Sequence, residues 1–273
     1  MSISWPRVIT RAAEIVRSYD TGVSLRQLFY RLVVEGAIPN SEYAYKRLSR
    51  VTAALRRNGQ FPQLVDQTRD IHRFGGFSSP QDALKSLTRS YCRNRDERQE
   101  YSVYLGVEKY GMVPQLKQWF ETYGVAIAPL RGYSSQTYVD VIIEDVTNND
   151  RQAVLIYAGD FDPSGVDILR DFKKRCSCFD HVQRIALNED QVSEYNLPVN
   201  PGKKGDSRAA GFIRDYGQLM QVELDALPPY TLRELYEAAL FEFYDTSVFY
   251  GVLRAERVDR EKLWAIANGE HRA

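Results

Sequence analysis

The run Val154-Leu-Ile-Tyr-Ala-Gly-Asp-Phe-Asp-Pro-Ser-Gly165 constrains the fold of this chain more than any other segment. Its apolar start reads as a buried strand, and that strand stops at two carboxylates spaced i and i+2. Pro163, Ser164 and Gly165 then turn the chain into the helix-like segment Val166–Arg170. In extended backbone alternate side chains share a face, so Asp160 and Asp162 can converge at the strand's carboxyl end. Open α/β sheets place their ligand sites at those ends. Two hard oxygen ligands on a short spacing suit Mg²⁺, which takes few protein carboxylates and keeps positions for water or phosphate. An Asp-x-Asp also occurs in ordinary acidic loops, so the rest of the chain must decide.

From Tyr101 onward strands alternate with helices. Strands are expected at Tyr101–Val107, Val125–Leu130, Ala153–Ala158 and His181–Leu187, with Gln221–Leu227 as a last one. Helices are expected at Met112–Tyr123, Ser134–Val146, Val166–Phe172 and Leu232–Tyr244. Residues 101–230 thus read as a mainly parallel, doubly wound sheet of four or five strands with flanking helices, and 231–273 as a helical extension. The polar loop Asn200–Asp206 reads as mobile.

Residues 1–78 read differently. Helical spacing covers Trp5 to Tyr19; Ser24-Leu-Arg-Gln27 is a capping box opening a helix that Gly36 ends. Asn40 or Ser41 caps a third helix to about Arg57. Extended pieces at Phe61–Val65 and Ile71–Phe77 follow, and three helices before a two-stranded flap is the pattern of a winged helix, an α+β domain. Lys46, Arg47, Arg50, Arg56 and Arg57 on the third helix make it the groove-facing one, although such residues also line solvated helix faces. Residues 79–100 read as a charged helical connector.

The zero net charge hides an asymmetry: residues 1–100 hold 17 Lys/Arg against 10 Asp/Glu, and the remainder 19 against 26. A basic half beside an acidic half fits a protein that grips phosphates with one part and collects metal ions with the other. Cys92, Cys176 and Cys178 are too few for a disulfide framework, and His72 and His181 lack partners for a metal site. With no long apolar run and no secretory pattern at its start, the chain reads as cytoplasmic and nucleoid-associated, without membrane contact.

The first strand ends in Val107-Glu108-Lys109-Tyr110-Gly111. Parallel strands finish on one edge, so Glu108 can meet Asp160 and Asp162 around one or two Mg²⁺ ions. Glu108 with Gly-Asp160-Phe-Asp162-Pro-Ser-Gly resembles the Toprim domain shared by topoisomerases, primases and some nucleases. Ser24-Leu-Arg-Gln-Leu-Phe-Tyr30-Arg is similar to the winged-helix motif of the topoisomerase VI A subunit and its meiotic double-strand-break relatives. Arg26 and Tyr30 occupy the places of that motif's arginine and tyrosine, and their i,i+4 spacing puts them on one helix face. The likeness spans roughly residues 20–230, in a chain shorter than a typical A subunit.

The resemblance implies a Mg²⁺-dependent DNA transesterase acting on double-stranded DNA. Tyr30 would form a 5′-phosphotyrosyl link, with Arg26 favouring the phenolate, Glu108 shuttling a proton, and Glu108, Asp160 and Asp162 holding metal. It also implies a homodimer in which the tyrosine of one protomer meets the metal site of the other. No Gly-rich nucleotide loop is visible, which leaves ATP hydrolysis to a separate subunit. Glu223 and Asp225 form a further acidic pair that could back the metal ligands, and Arg131, Tyr133, Gln136 and Thr137 follow the second strand near the same edge. Two alternatives stay open. Leu28, Phe29 and Leu32 pack the Tyr30 helix into a core, so Tyr30 also reads as a core residue. A Toprim nuclease with water as nucleophile, as in plasmid-defence systems, or a binding module with a decayed site would carry much the same residues.

Overall fold

The computed structural model describes residues 3–19, 22–66, 75–202 and 205–269. Helices α1 (Trp5–Ser18), α2 (Leu25–Val34) and α3 (Glu42–Arg57) open the chain, and α4 (Pro80–Ser90) follows. The capping box at α2 is complete: Gln27 N–H donates to Ser24 Oγ at 3.2 Å, and Ser24 N–H donates to Gln27 Oε1 at 2.9 Å. Gly36, at φ 67°, takes the left-handed turn that ends this helix. Ser41 caps α3, while the Asn40 amide donates to Asn200 Oδ1 at 2.8 Å.

Among the described residues no strand forms between Phe61 and Asp66, where the first arm of a flap was expected. Phe61 is buried and Val65 N–H donates to Val23 O at 3.1 Å, so this segment is pinned to the helices rather than paired as a hairpin. Of the second arm, residues 71–74, with His72, lie outside the described residues; Gly75 to Phe77 are not strand.

The rest of the chain builds an α/β unit. Its strands are β1 (Tyr101–Val107), β2 (Ala126–Pro129), β3 (Gln152–Ala158) and β4 (His181–Ala186). Its helices are α5 (Val113–Phe120), α6 (Gln136–Asn149), α7 (Pro163–Arg175), α8 (Glu189–Glu194), α9 (Ala209–Tyr216), α10 (Pro229–Phe243) and α11 (Thr246–Ala267). The four strands pair parallel in the order β2-β1-β3-β4.

Alternation along the strands divides the core in two. Val103, Leu105, Val107, Val154, Ile156 and Ala158 face one way, against Leu116 and Phe120 of α5 and Leu232, Tyr236 and Leu240 of α10. Leu28 and Leu32 of α2 belong to this same core, so the amino-terminal helices are packed onto the sheet unit. Tyr104, Leu155 and Tyr157 face the other way, against Val139 and Ile142 of α6 and Ile168 and Phe172 of α7. Parallel strands covered on both faces must be apolar throughout, and β3 is buried from Ala153 to Ala158.

Three expectations change. Gln221–Leu227 is not a strand. A short β5 (Asn200–Pro201) pairs antiparallel with β6 (Met220–Gln221), and Leu224–Ala226 is a tight 3₁₀ turn. The reason is a contact from a distant segment: Leu224 N–H donates to the Asp160 carboxylate, and Ala226 and Leu227 N–H close the turn on Glu223 O and Leu224 O. Second, α10 is a covering layer of the sheet rather than an extension beyond it. Tyr236 Oη donates to Gly106 O at 2.6 Å. Third, the connector is helical only over α4; beyond it Arg93 and Arg95 pair with Asp259 and Glu256 of α11. No helix among the described residues is long and apolar enough to cross a membrane.

The buried Tyr236 hydroxyl ties α10 to β1 where the sheet approaches the site. Tyr236→Phe is expected to cost about 1–2 kcal/mol. Urea unfolding checks this as a lower midpoint with an unchanged slope.

Candidate functional site

The site forms where β1 and β3 end. Their register pairs Val107 with Ala158, and Glu108 N–H continues the ladder to Ala158 O at 3.0 Å. Two residues further along, Asp160 N–H donates to Glu108 Oε2 at 2.8 Å. The carboxyl of Glu108 therefore meets the backbone of the Asp-x-Asp loop, whereas the sequence leads one to expect the three carboxylates themselves to converge. Asp162 Oδ1 accepts from Gly165 N–H at 2.7 Å and caps α7. Gly165 is required here: a Cβ would run into Asp160 O, and would stand 3.1 Å from Glu108 Oε2. Phe161, the residue between the two carboxylates, bridges to Val222 and is buried against Phe212 and Tyr216.

Asp160 is 7% exposed, and Lys109 is the residue that balances it. The Lys109 ammonium lies 2.8 Å from Asp160 Oδ1, 2.6 Å from Glu223 Oε2 and 3.0 Å from Asp225 Oδ2. Arg26 of α2 reaches the same two acids, at 2.6 Å from Glu223 Oε2 and 3.2 Å from Asp225 Oδ2. Glu223 and Asp225 thus join the site, but as partners of two cations. Arg26 also lies over the Tyr30 ring, 5.8 Å from its centroid. A single polar network therefore runs from the Tyr30 face of α2 to Asp160.

Burial and charge set the protonation of these groups. Burial, with the neighbouring Asp160 charge, pushes the Glu108 carboxyl up to about 7. Burial pushes Asp160 up to about 6, against the pull of Lys109. Burial alone would raise Glu223 too, but Lys109 and Arg26 hold it below its ordinary value. Burial alone would lower Lys109; Asp225, Asp160 and Glu223 outweigh it and keep the ammonium charged. For Tyr30 the sequence expectation is corrected. Burial and then Glu223 raise its phenol above the ordinary tyrosine value, and Arg26 and Lys109 only reduce that rise. Arg26 favours phenolate weakly because Glu223 and Asp225 already take its charge.

Two further residues shape the site. Arg184, a charge within the edge strand β4, donates to four carbonyls: Leu187 O at 3.1 Å, Gly165 O at 3.1 Å, Gly159 O at 3.3 Å and Asp160 O at 2.7 Å. It holds the Asp-x-Asp loop and the first turn of α7 together. Sequence reading missed it, although an arginine within His181-Val-Gln-Arg-Ile-Ala was the visible signal. Nor does the sequence Val107-Glu108-Lys109-Tyr110-Gly111 by itself assign Lys109 a role.

A cleft of about 950 Å³ opens beside Glu108 and Lys109. Arg26, Arg56, Arg131 and Gly132 line it with Asp225, so basic side chains from both halves of the chain face the acidic edge. Of the expected groove-facing residues, Lys46, Arg50 and Arg57 are exposed, and Lys46 pairs with Glu42 at 2.6 Å. Arg47 instead lies 4.8 Å over the Trp5 ring. Among the α3 arginines it is Arg56 that borders the cleft. Tyr133 Oη hydrogen-bonds Asp167 and accepts from Arg208 at 2.8 Å, away from the carboxylate cluster. The Gln136 amide donates to Asp140 within α6, and Thr137 is exposed on that helix. His181 packs against Tyr101 and Phe243, and Cys176 and Cys178 are free thiols.

Among the described residues no three His, Cys, Asp or Glu side chains converge closely enough to hold an ion as they stand. The donor set nevertheless suits a hard cation. Asp160 raises the proton affinity of the half-buried Glu108 carboxyl, and Glu223 raises that of buried Asp160, a repulsion that a divalent ion relieves. Comparison with protein-family models and with curated proteins finds no match to this chain.

Glu108 and Asp160 bind protons more tightly folded than unfolded, from ordinary values of 4.5 and 3.8 to about 7 and 6. Folding therefore takes up protons, and stability falls as pH rises through that window. In metal-free buffer Glu108→Gln is expected to match the parent near pH 4 and to exceed it near pH 8, by roughly 1–3 kcal/mol. Urea midpoints at the two pH values check this.

Proposed function

We propose that the chain is a Mg²⁺-dependent DNA-cleaving enzyme, with a Toprim-type sheet unit and a winged-helix-type amino-terminal unit. Tyr30 is its nucleophile. The observation that supports this is the network from Tyr30 through Arg26, Glu223, Asp225 and Lys109 to Asp160 and Glu108, beside a basic cleft.

In this reading the Tyr30 oxygen attacks a backbone phosphorus as the phenol passes its proton to the Glu108 carboxylate. The phosphorus–oxygen bond to the 3′ side breaks, leaving a 5′-phosphotyrosyl link and a 3′-hydroxyl. Glu108 then hands that proton to the departing 3′ oxygen. Arg26, Arg56 and Arg131 grip the flanking phosphates. Glu108, Asp160 and Asp162 are the residues that would hold Mg²⁺, which when bound supplies positive charge to the phosphate oxygens. The exposed Lys46, Arg50 and Arg57 extend the DNA contact along α3, and the assembly is a homodimer on double-stranded DNA.

One observation favours a second reading, a Toprim nuclease in which water replaces Tyr30. Burial and Glu223 keep the phenol protonated in this arrangement. Denaturant quenching of a reaction on end-labelled duplex with Mg²⁺ separates the two. The first reading expects DNA covalently attached to the protein, mapped to Tyr30, and loss of cutting in both Tyr30→Phe and Asp160→Asn. Cutting by Tyr30→Phe that Asp160→Asn abolishes would establish the nuclease instead.

The dimer has its own test. If one protomer supplies Tyr30 to the metal site of its partner, mixing Tyr30→Phe with Asp162→Ala protein restores single-strand cuts that neither makes alone. No restored cutting would put both groups to work within one chain.

A further inference from the structure

The acidic centre already holds a cation, and that cation is the protein's own. Three carboxylate oxygens, from Asp160, Glu223 and Asp225, surround the Lys109 Nζ at 2.8, 2.6 and 3.0 Å. These acids come from two separate segments, the loop after β3 and the 3₁₀ turn at Leu224–Ala226, and Lys109 from a third, the end of β1. Backbone contacts fix the arrangement. Leu224 N–H donates to the same Asp160 oxygen at 2.7 Å that Lys109 contacts, so Asp160 is oriented toward the lysine. Glu108 meets Asp160 through its backbone N–H at 2.8 Å instead of through a shared ligand. Among the described residues Asp160, Glu223 and Asp225 thus converge on an ammonium, and no three acids are gathered as a metal site.

We propose that Lys109 is a resident counter-ion that competes with the divalent cation for Asp160, so that loading of the metal requires the ammonium to leave. The inference deepens the metal-dependent reading above and rests on it. Its physical basis is charge neutralisation. An ammonium and a divalent ion cannot share one buried carboxylate oxygen without strong repulsion, and the ion that is covalently tethered has the concentration advantage. The side chain has somewhere to go, because Lys109 lines the 950 Å³ cleft together with Arg26, Arg56 and Arg131. A phosphate arriving there offers the ammonium a new partner, which couples metal loading to the arrival of DNA. Glu223 and Asp225 keep Arg26 as a partner when Lys109 departs.

Mn²⁺ binding provides a readout independent of cleavage. Free Mn²⁺ is measured by electron paramagnetic resonance in titrations of wild type, Lys109→Met, Lys109→Gln and Lys109→Met/Asp160→Asn, with circular dichroism and melting to verify folding. The glutamine variant keeps hydrogen-bonding capacity without charge, so it carries the test if the methionine variant does not fold. The expected result is at least 10-fold tighter Mn²⁺ binding in the lysine variants, lost again in the double variant; about tenfold corresponds to 1.4 kcal/mol. A lysine that only braces the loop predicts the opposite, weaker binding when it is removed. Measurable binding that is equal to or weaker than wild type in both lysine variants overturns the proposal and leaves the metal reading standing. No binding by any variant overturns both.

Discussion

The in-register parallel pairing of β1 with β3 is the constraint on which the site depends. Because Val107 stands opposite Ala158, the next residue of each strand leaves the sheet at the same level. Glu108 can then reach the Asp160 backbone from the neighbouring strand end. A slip of one residue would turn Glu108 to the opposite face of the sheet and leave the Asp160 N–H without its acceptor. The apolar residues behind the site enforce the register: Val103, Leu105 and Val107 share one core with Val154, Ile156 and Ala158, and any slip would mix the two faces. The chemistry at the edge is thus fixed by packing up to 7 residues away along β1.

Collecting four acids at one edge is costly, and the structure offsets the cost with tethered cations. Lys109 and Arg26 neutralise Asp160, Glu223 and Asp225, while Arg184 binds the loop carbonyls behind them. Removing one partner from such a buried set costs about 3–5 kcal/mol, because the remaining charge loses its compensation. Glu108 has no side-chain ion pair among the described residues, and burial with the Asp160 charge raises its proton affinity to about 7. The network also has a mechanical consequence. Arg26 belongs to α2, so the acids join the amino-terminal helices to the sheet by charge as well as through the core shared by Leu28 and Leu105.

Elements with a strong local signal were legible in the sequence. Continuous apolar runs marked β1 and β3, the Ser24–Gln27 box marked the start of α2, and Gly36 marked its end. The meeting of Glu108 with Asp160 followed from strand-end logic alone. What stayed hidden depends on contacts between distant segments. The 3₁₀ turn at Leu224–Ala226 has the alternation of a strand, and only the pull of Asp160 on Leu224 N–H, 64 positions away, reveals that it turns. Helical spacing put Arg26 beside Tyr30, correctly, but it could not show that Glu223, 197 positions later, takes up the guanidinium. Arg184 was hidden for a related reason: its four acceptors are backbone atoms, which carry no sequence signature.

These long-range contacts decide how the tyrosine and the carboxylates relate. A guanidinium lowers a phenol's proton affinity only by the charge it has left over. With Glu223 at 2.6 Å and Asp225 at 3.2 Å, Arg26 presents Tyr30 with a nearly neutral cluster inside a partly buried site. Burial then dominates, and the phenol rises. The balance tips when an anion takes up part of the Lys109 coordination and draws the ammonium toward the cleft. Lys109 would then face the phosphate, while Arg26 would stay with Glu223 and Asp225. Arg26 and Lys109 are therefore the residues that connect the cleft to both Tyr30 and Asp160.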